Sequence, residues 1–425
     1  MIRDIAAGRY DRALTALYGG EALDAARQRL LDLARQFEQL FGSSEGACVI
    51  SAPGRTELGG NHTDHNGGRV LAASVSADML AVARPAPDGD VRVCSSGRRE
   101  IRLRLDRLAP QPGEKRTSTA LVRGVAAYLR EHGGAIGGFQ AVTDARVPVG
   151  SGLSSSAAFE VLMGAIFNHL YNDGALSFET LALAGGYAEN RYFEKPSGLM
   201  DQIACAAGGV VAVDFADPQK PIIRRIELDL ERAGYRLCMV DVGGDHAGLT
   251  DAYAAIPREM KEVARTLGGE RLCEVSREAL LADLPAVRQR CGDRAVLRAL
   301  HFFAENERVD AQAAALERGD LAAFLEGMIQ SGHSSFEYLQ NVALYEFPQS
   351  QPMAVALCLA QQWLDGVGGW RVHGGGFGGC IQTIVPADRT AAFTEKMEAV
   401  LGKGCCRVMN IRPQGSVRLE REATV

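Results

Sequence analysis

Apolar residues along this chain recur at two spacings, and the alternation between them sets out the elements. Leu23, Leu30, Ala34, Phe37 and Phe41 fall on one face of a helix that the pattern ends near Gly42. A short apolar run, Cys48 to Ala52, reads as a strand closed by a turn at Pro53-Gly54. Further strand-like segments follow at 70–75, 80–83, 91–94 and 101–105, with a helix from about Thr119 to Leu129. Phe139, Ala141, Thr143 and Ala145 keep the two-residue period of a strand, whereas Ala158, Val161, Leu162, Ala165 and Ile166 keep the helical period. A second half opens near Asp214. It predicts strands at 222–228 and 237–242, a helix-rich stretch from about Thr250 to Gln330, a helix from Met353 to Leu364, and strands through Trp370 and at 381–385.

Four polar, glycine-rich stretches interrupt this pattern, and they carry the candidate chemistry. The densest runs from Val147 through Gly150, Ser151, Gly152 and Leu153 to Ser154, Ser155, Ser156 and Ala157. It joins a strand to the start of a helix, where backbone N–H groups lack helical partners and the dipole is positive, so it suits an anion, phosphate above all. The serine hydroxyls add hard oxygen ligands of the kind magnesium takes. An ordinary N-cap with a loop is the competing reading, and the lysine of the Walker pattern is missing. The second stretch packs Arg55, Glu57, Asn61, His62, Asp64, His65 and Asn66 into a dozen residues among glycines. It is either a solvated loop or a pocket of converging donors and acceptors fit for a polyhydroxylated ligand. Third, Pro196-Ser-Gly198 ends a helix bearing Glu189 and leads into Asp201, which either caps the next helix or serves as a general base. Last, Gly374, Gly376 and Gly379 match a dinucleotide fingerprint, but the loop enters a strand rather than a helix and lacks the βαβ setting. It suits close backbone approach to a ligand instead.

Composition narrows the classes. At 425 residues and 47% hydrophobic, the chain is expected to form two domains with large cores. A net charge of -6 leaves no basic footprint for nucleic acid. No apolar run reaches membrane-span length and no signal-peptide core opens the chain. Ten scattered cysteines without a CxxC pair read as reduced cytoplasmic thiols.

The stretches, in this order, resemble the galactokinase branch of the GHMP kinase superfamily. The family's GRxNLIGEHTDYN appears here as GRTELGGNHTDHN from Gly54. The PxGxGLSSSA loop is complete at 148–157, GGGFGGC is complete at 374–380, and Gly198 to Gln202 is similar to GIMDQ. The resemblance covers roughly Ser51 to Val385. It implies an α+β, two-domain fold with the active site in the cleft between the domains. The chain then divides into an N-terminal helical extension (1–45), an N-terminal kinase domain (46–213) and a C-terminal kinase domain (214–425). It further implies ATP-dependent phosphorylation of the anomeric hydroxyl of galactose, with ATP and Mg2+ as cofactors and no nucleic-acid or membrane partner. Asp201 and Arg55 match the catalytic pair. His62, Asp64, Asn61, Gly198, Tyr253 and Glu57 match sugar-binding positions, Gly150 to Ala157 the ATP loop, and Ser155, Ser156 and Glu189 the metal ligands.

The departures gather around the sugar: Glu57 for asparagine, Asn61 for glutamate, His65 for tyrosine, Glu194 for glycine and Ser197 for cysteine. A kinase for another sugar or a galactose derivative is therefore an alternative, and a non-catalytic sugar sensor a more distant one. The exchange of carboxylate and amide between positions 57 and 61 has two readings. Either the carboxylate has moved four residues and still serves the cleft, or Glu57 forms a salt bridge with Arg55.

Overall fold

The computed structural model describes residues 1–86, 88–147, 152–195, 197–217, 220–243, 250–344 and 346–422. Its strands are β1 (Cys48–Gly59), β2 (Arg69–Pro85), β3 (Asp90–Ser95), β4 (Ile101–Arg104), β5 (Phe139–Ala145), β6 (Val210–Asp214), β7 (Ile222–Ile226), β8 (Tyr235–Gly243), β9 (Gly369–Val372), β10 (Gly379–Pro386), β11 (Cys406–Met409) and β12 (Val417–Leu419). The helices before residue 210 are α1 (Ile2–Ala6), α2 (Asp11–Tyr18), α3 (Leu23–Phe41), α4 (Ser118–Glu131), α5 (Ser155–Tyr171), α6 (Phe178–Ala188) and α7 (Met200–Ala207). Those after it are α8 (Thr250–Thr266), α9 (Arg277–Ala282), α10 (Leu284–Cys291), α11 (Asp293–Glu317), α12 (Leu321–Ser334), α13 (Pro352–Leu364) and α14 (Thr390–Leu401).

The larger sheet runs β12-β1-β2-β5-β3-β4, with β6 on the far part of β2 and β7 on β6; the smaller runs β11-β8-β10-β9. The central strands β1 and β2 are covered on both faces, which is why Cys48–Ala52 and much of β2 read as nearly unbroken apolar runs. Val49, Leu80, Val82 and Val142 pack against α1–α3. Their neighbours Ile50, Ala81, Ala83 and Ala141 face the main core, where α4 to α7 lie. The smaller sheet buries Val240, Trp370, Val372 and Ile381 against α13 and α14, and α8 to α11 build a separate helical core around Ile256, Met260 and Phe302. This is the α+β arrangement expected from the sequence.

Two breaks expected in the sheet are absent. Pro53-Gly54 does not turn the chain; β1 runs on to Gly59, with a register shift against β2 between Pro53 and Arg55. Pro53 lacks an N–H for the ladder, and a Cβ on Gly54 would fall 2.9 Å from the Leu153 carbonyl, so the pair forms a bulge beneath the phosphate loop. The bulge carries Arg55 and Glu57 into the cleft. Likewise 70–75 and 80–83 form the single strand β2. The polar residue between them, Asp78, is fully buried, its carboxylate held by Arg29 (2.6 Å), Arg412 (3.3 Å), Tyr18 and Ser51. That ion cluster fastens α2 and α3 to the sheet.

Candidate active site

Arg55 leaves β1 with its Nε 2.7 Å from Asp201 Oδ1, and another guanidinium nitrogen donates to the Gly152 carbonyl. Asp201 stands in the first turn of α7, two residues past the N-cap Leu199, so it does not cap that helix. Its second oxygen accepts from Ser154 Oγ. Burial pushes the Asp201 carboxyl up, but the Arg55 charge and the Ser154 hydrogen bond outweigh it and hold the group below its usual range. Asp201 is therefore an ionised carboxylate at neutral pH, and its side chain stays 29% exposed toward the cleft.

Residues 148–151, Gly150 and Ser151 among them, lie outside the described residues. Gly152 has φ 74°, and a Cβ there would meet the His373 ring at 2.9 Å. Ser154 takes a left-handed conformation (φ 55°) at the N-cap of α5, while Leu153 and Ala157 are buried beneath. Ser155 and Ser156 line a cavity of about 460 Å³ at the first turn of α5, together with Ser95, Arg98, Arg99 and Phe159. Ser156, not Ser155, reaches Glu189: its Oγ lies 3.2 Å from Oε1. Glu189 also receives Lys195, Ser197 and Gln202, and the same Gln202 amide binds Glu160 at 2.9 Å. Burial, reinforced by the Glu189 charge, pushes the Glu160 carboxyl well above the carboxylate range. Glu160 thus adds no negative charge at the helix start, whereas Asp201 does.

On the other side of Asp201 opens a cleft of about 360 Å³ lined by Arg55, Glu57, Asn61, His62, Asp64, His65, Lys195, Ser197, Gly198, Tyr253 and Gly374-Gly375. Glu57 does not pair with Arg55. Its Oε1 lies 2.6 Å from the buried Arg371 on β9 and accepts from Asn61 Nδ2 at 3.0 Å. The Asn61 amide is fully engaged: Nδ2 also donates to the Gly374 carbonyl, and Oδ1 accepts from Ser335 and Asn341. His62, at φ 59°, donates from Nε2 to the Gly375 carbonyl (3.0 Å), and burial lowers its pKa to about 4, so the ring is neutral. Asp64 lies against Gly198, where any Cβ would collide with its Oδ2. Tyr253 donates to the Gly376 carbonyl (2.8 Å) and packs edge-on against Phe377. The glycine loop between β9 and β10 is thus one wall of the cleft, as its strand setting suggests.

Comparison with known proteins settles the family. The galactokinase galactose-binding signature matches residues 35–85, and the GHMP kinases N terminal domain matches residues 120–209. Galactokinase from Streptomyces coelicolor is 33% identical over 396 residues, covering 91% of this chain and 97% of the relative. The chain belongs to the galactokinase family. The human galactokinase is 31% identical over 84% of this chain and 88% of its own length. The crystal structure of Lactococcus lactis galactokinase complexed with galactose superposes with a TM-score of 0.77 at 28% identity, covering 91% of this chain and 99% of that one. A mevalonate kinase structure, at 14% identity and TM-score 0.58, shares the fold.

Four polar residues of this galactokinase-family site escape sequence reasoning. Arg371 and Asn341 come from segments about 280 residues and more from the Glu57–Asn61 pair they hold. His373 precedes the glycine loop and donates from Nε2 to the Gly152 carbonyl at 3.0 Å. Burial, then the Arg55 charge, lowers its pKa to about 3. Lys195 sits two residues before Ser197, and its ammonium rests on Glu189 at 2.8 Å. Only His373 carries a local signal, its place beside the glycines.

Proposed function

We infer that this chain transfers the γ-phosphoryl group of ATP to the anomeric hydroxyl of galactose, forming galactose 1-phosphate. The carrying observation is Asp201. Its carboxylate is ionised, fixed by Arg55 on one oxygen and by Ser154 at the start of α5 on the other, and open to the cleft that His62 and Asp64 line. In this reading the sugar lies in the 360 Å³ cleft and the nucleotide in the 460 Å³ cavity beyond Ser155 and Ser156.

Asp201 orients the sugar hydroxyl and takes its proton as the oxygen attacks the γ-phosphorus. The new O–P bond forms while the bond to the β-phosphate oxygen breaks and ADP leaves. Arg55, held by Asp201 and by the Gly152 carbonyl, stabilises the charge that builds on the transferred group. Ser156 and Glu189 present oxygens 3.2 Å apart, near enough to serve as adjacent ligands of one hard cation. Among the described residues no group of three or more His, Cys, Asp or Glu gathers, which fits magnesium held by two protein ligands plus phosphate and water. When bound there, magnesium would neutralise phosphate oxygens.

On the sugar side, His62, Asp64, Gly198 and Tyr253 contact the hydroxyls in our reading. Glu57 offers its Oε2, and Asn61 acts by fixing Glu57. The working division follows the residues: an extension (1–45), a domain of sheet and phosphate loop (46–213), and a second domain (214–425) that returns β7 and β12 to the first sheet. Ten cysteines, none joined in a disulfide, suit a reducing, cytoplasmic setting, and among the described residues no helix is long and apolar enough to cross a membrane.

The engaged Asn61 amide supports a second reading, a galactose derivative altered at the terminal carbon. One experiment separates them: ATP consumption measured across free sugars, with the product characterised. Galactose should give the highest kcat/KM, with phosphate on the anomeric oxygen. A higher value for a sugar altered at the terminal carbon would transfer the assignment to it, and no turnover with any hexose would overturn the kinase reading.

A further inference from the structure

Lys195 is a cation in the cleft to which the transfer mechanism gives no part. Its backbone N–H closes on the Glu189 carbonyl at 3.1 Å and its Nζ lies 2.8 Å from Glu189 Oε1, so the chain returns to the same residue twice. The wide π-turn Glu189–Phe193 and the left-handed Glu194 (φ 58°) make that return. Glu189 is meanwhile saturated. Ser156 shares Oε1 with Lys195, while Ser197 (2.8 Å) and Gln202 (2.9 Å) take Oε2. A carboxylate has about four lone-pair sites, so no place remains for a metal cation until a donor leaves.

Lys195 is the donor built to leave. Its side chain is 54% exposed, whereas the Glu189 side chain is 3% exposed. Gln202 is fully buried and stays on Oε2, so Oε1, the oxygen facing Ser156, is the one released. The lysine also lines the cleft with Arg55 and Asp201. Arg55 is pinned by two partners, but an ammonium on a flexible four-carbon stem can move between anions.

We propose that Lys195 is a mobile second cation of the transfer site: it neutralises Glu189 while the cleft is empty and moves onto the transferred phosphoryl group when Glu189 engages a divalent cation. The proposal rests on the kinase reading above. It makes the lysine a competitor for the metal before transfer and a contributor to the charge stabilisation during it.

The test uses the full-length protein with Lys195→Met and Lys195→Arg. Mn2+ serves as the metal probe, with unbound Mn2+ counted by electron paramagnetic resonance at saturating ADP, and steady-state kinetics are run with magnesium and ATP. Lys195→Met should bind Mn2+ several-fold more tightly than wild type. Its kcat should nevertheless fall roughly tenfold or more, as for loss of one charge-stabilising donor, with the galactose KM within about twofold. Lys195→Arg, which keeps the charge, should recover much of kcat and bring the Mn2+ affinity back toward wild type. Unchanged Mn2+ affinity in Lys195→Met overturns the competition, and unchanged kcat overturns the phosphoryl contact. If wild type fails to phosphorylate galactose, the sugar reading falls, while the Mn2+ comparison still judges the lysine.

Discussion

Arg55 and Glu57 stand two residues apart on β1, and each forms half of an arginine–carboxylate pair. The Arg55–Asp201 pair (2.7 Å) joins β1 to α7, which packs on the same sheet, and Asp201 keeps 29% of its side chain open to the cleft. The Glu57–Arg371 pair (2.6 Å) crosses to the second sheet and is sealed, with side-chain exposures of 5% and 0%. Similar distances thus serve different ends. In the open pair the carboxylate keeps a face toward the cleft, and the arginine's charge keeps it ionised there. In the sealed pair Oε1 of Glu57 is given to Arg371 and Asn61, so that pair ties β1 to β9 and to the glycine loop. An ion pair is informative about catalysis through what it leaves unsatisfied.

The sharpest way to separate the two pairs is to remove one negative charge from each. Asp201→Asn keeps shape and one acceptor but loses the base, so kcat should fall by roughly two to four orders of magnitude. Galactose binding by calorimetry should change far less, and so should the unfolding midpoint. Turnover within about tenfold of wild type would remove Asp201 from proton transfer.

Glu57→Gln should show the converse, with stability lost first. Taking one charge from a buried pair strands the other, at a cost of about 3 kcal/mol in chemical denaturation. Adding Arg371→Met removes the stranded charge and should recover most of that loss, because an apolar replacement of both partners is often close to neutral. Additive losses in the double variant would show that the two residues do not act as a pair.

How much of this was legible in the sequence follows the same division. The open half of the site comes from contiguous motifs whose chemistry is local: glycines that permit close approach, serines at the start of α5, and an aspartate in the first turn of α7. The sealed half is assembled over long separations. Arg371 lies 314 residues from Glu57, and Asn341 lies 280 from Asn61. Periodicity carries no information on such partners, so the sequence offers Glu57 only the cleft or Arg55, two residues away on the same strand, and not Arg371. The Pro53-Gly54 turn failed for a related reason. Both residues have turn chemistry, but the sheet and the Leu153 carbonyl hold them as a bulge. Asp78 likewise reads as a break in an apolar strand, because its partners Arg29 and Arg412 come from distant parts of the chain.

The smallest effect concerns His373, the neighbour that keeps the open pair free of a competing cation. Its Nε2 donates to the Gly152 carbonyl, which Arg55 also binds, and burial followed by the Arg55 charge lowers its pKa to about 3. Unfolded, the ring would titrate near its ordinary value of about 6.5. Between those values the unfolded chain holds a proton that the folded one does not, so stability is full above about pH 6.5 and declines as pH falls toward 3. The limiting slope is one proton, about 1.4 kcal/mol per pH unit. His62, lowered to about 4, adds a similar decline over the upper part of that window. Asp201, with its pKa depressed, gives stability that is full above the ordinary aspartate range and is lost as pH falls through its folded value. His373→Gln keeps an N–H for Gly152 and removes the titration. Urea unfolding from pH 7.5 to 5 should therefore show a slope shallower by up to one proton, with the difference between the proteins at pH 7.5 within about 1 kcal/mol. An unchanged slope would mean that His373 is protonated in the folded protein beside Arg55, and the open pair would then face a second positive charge.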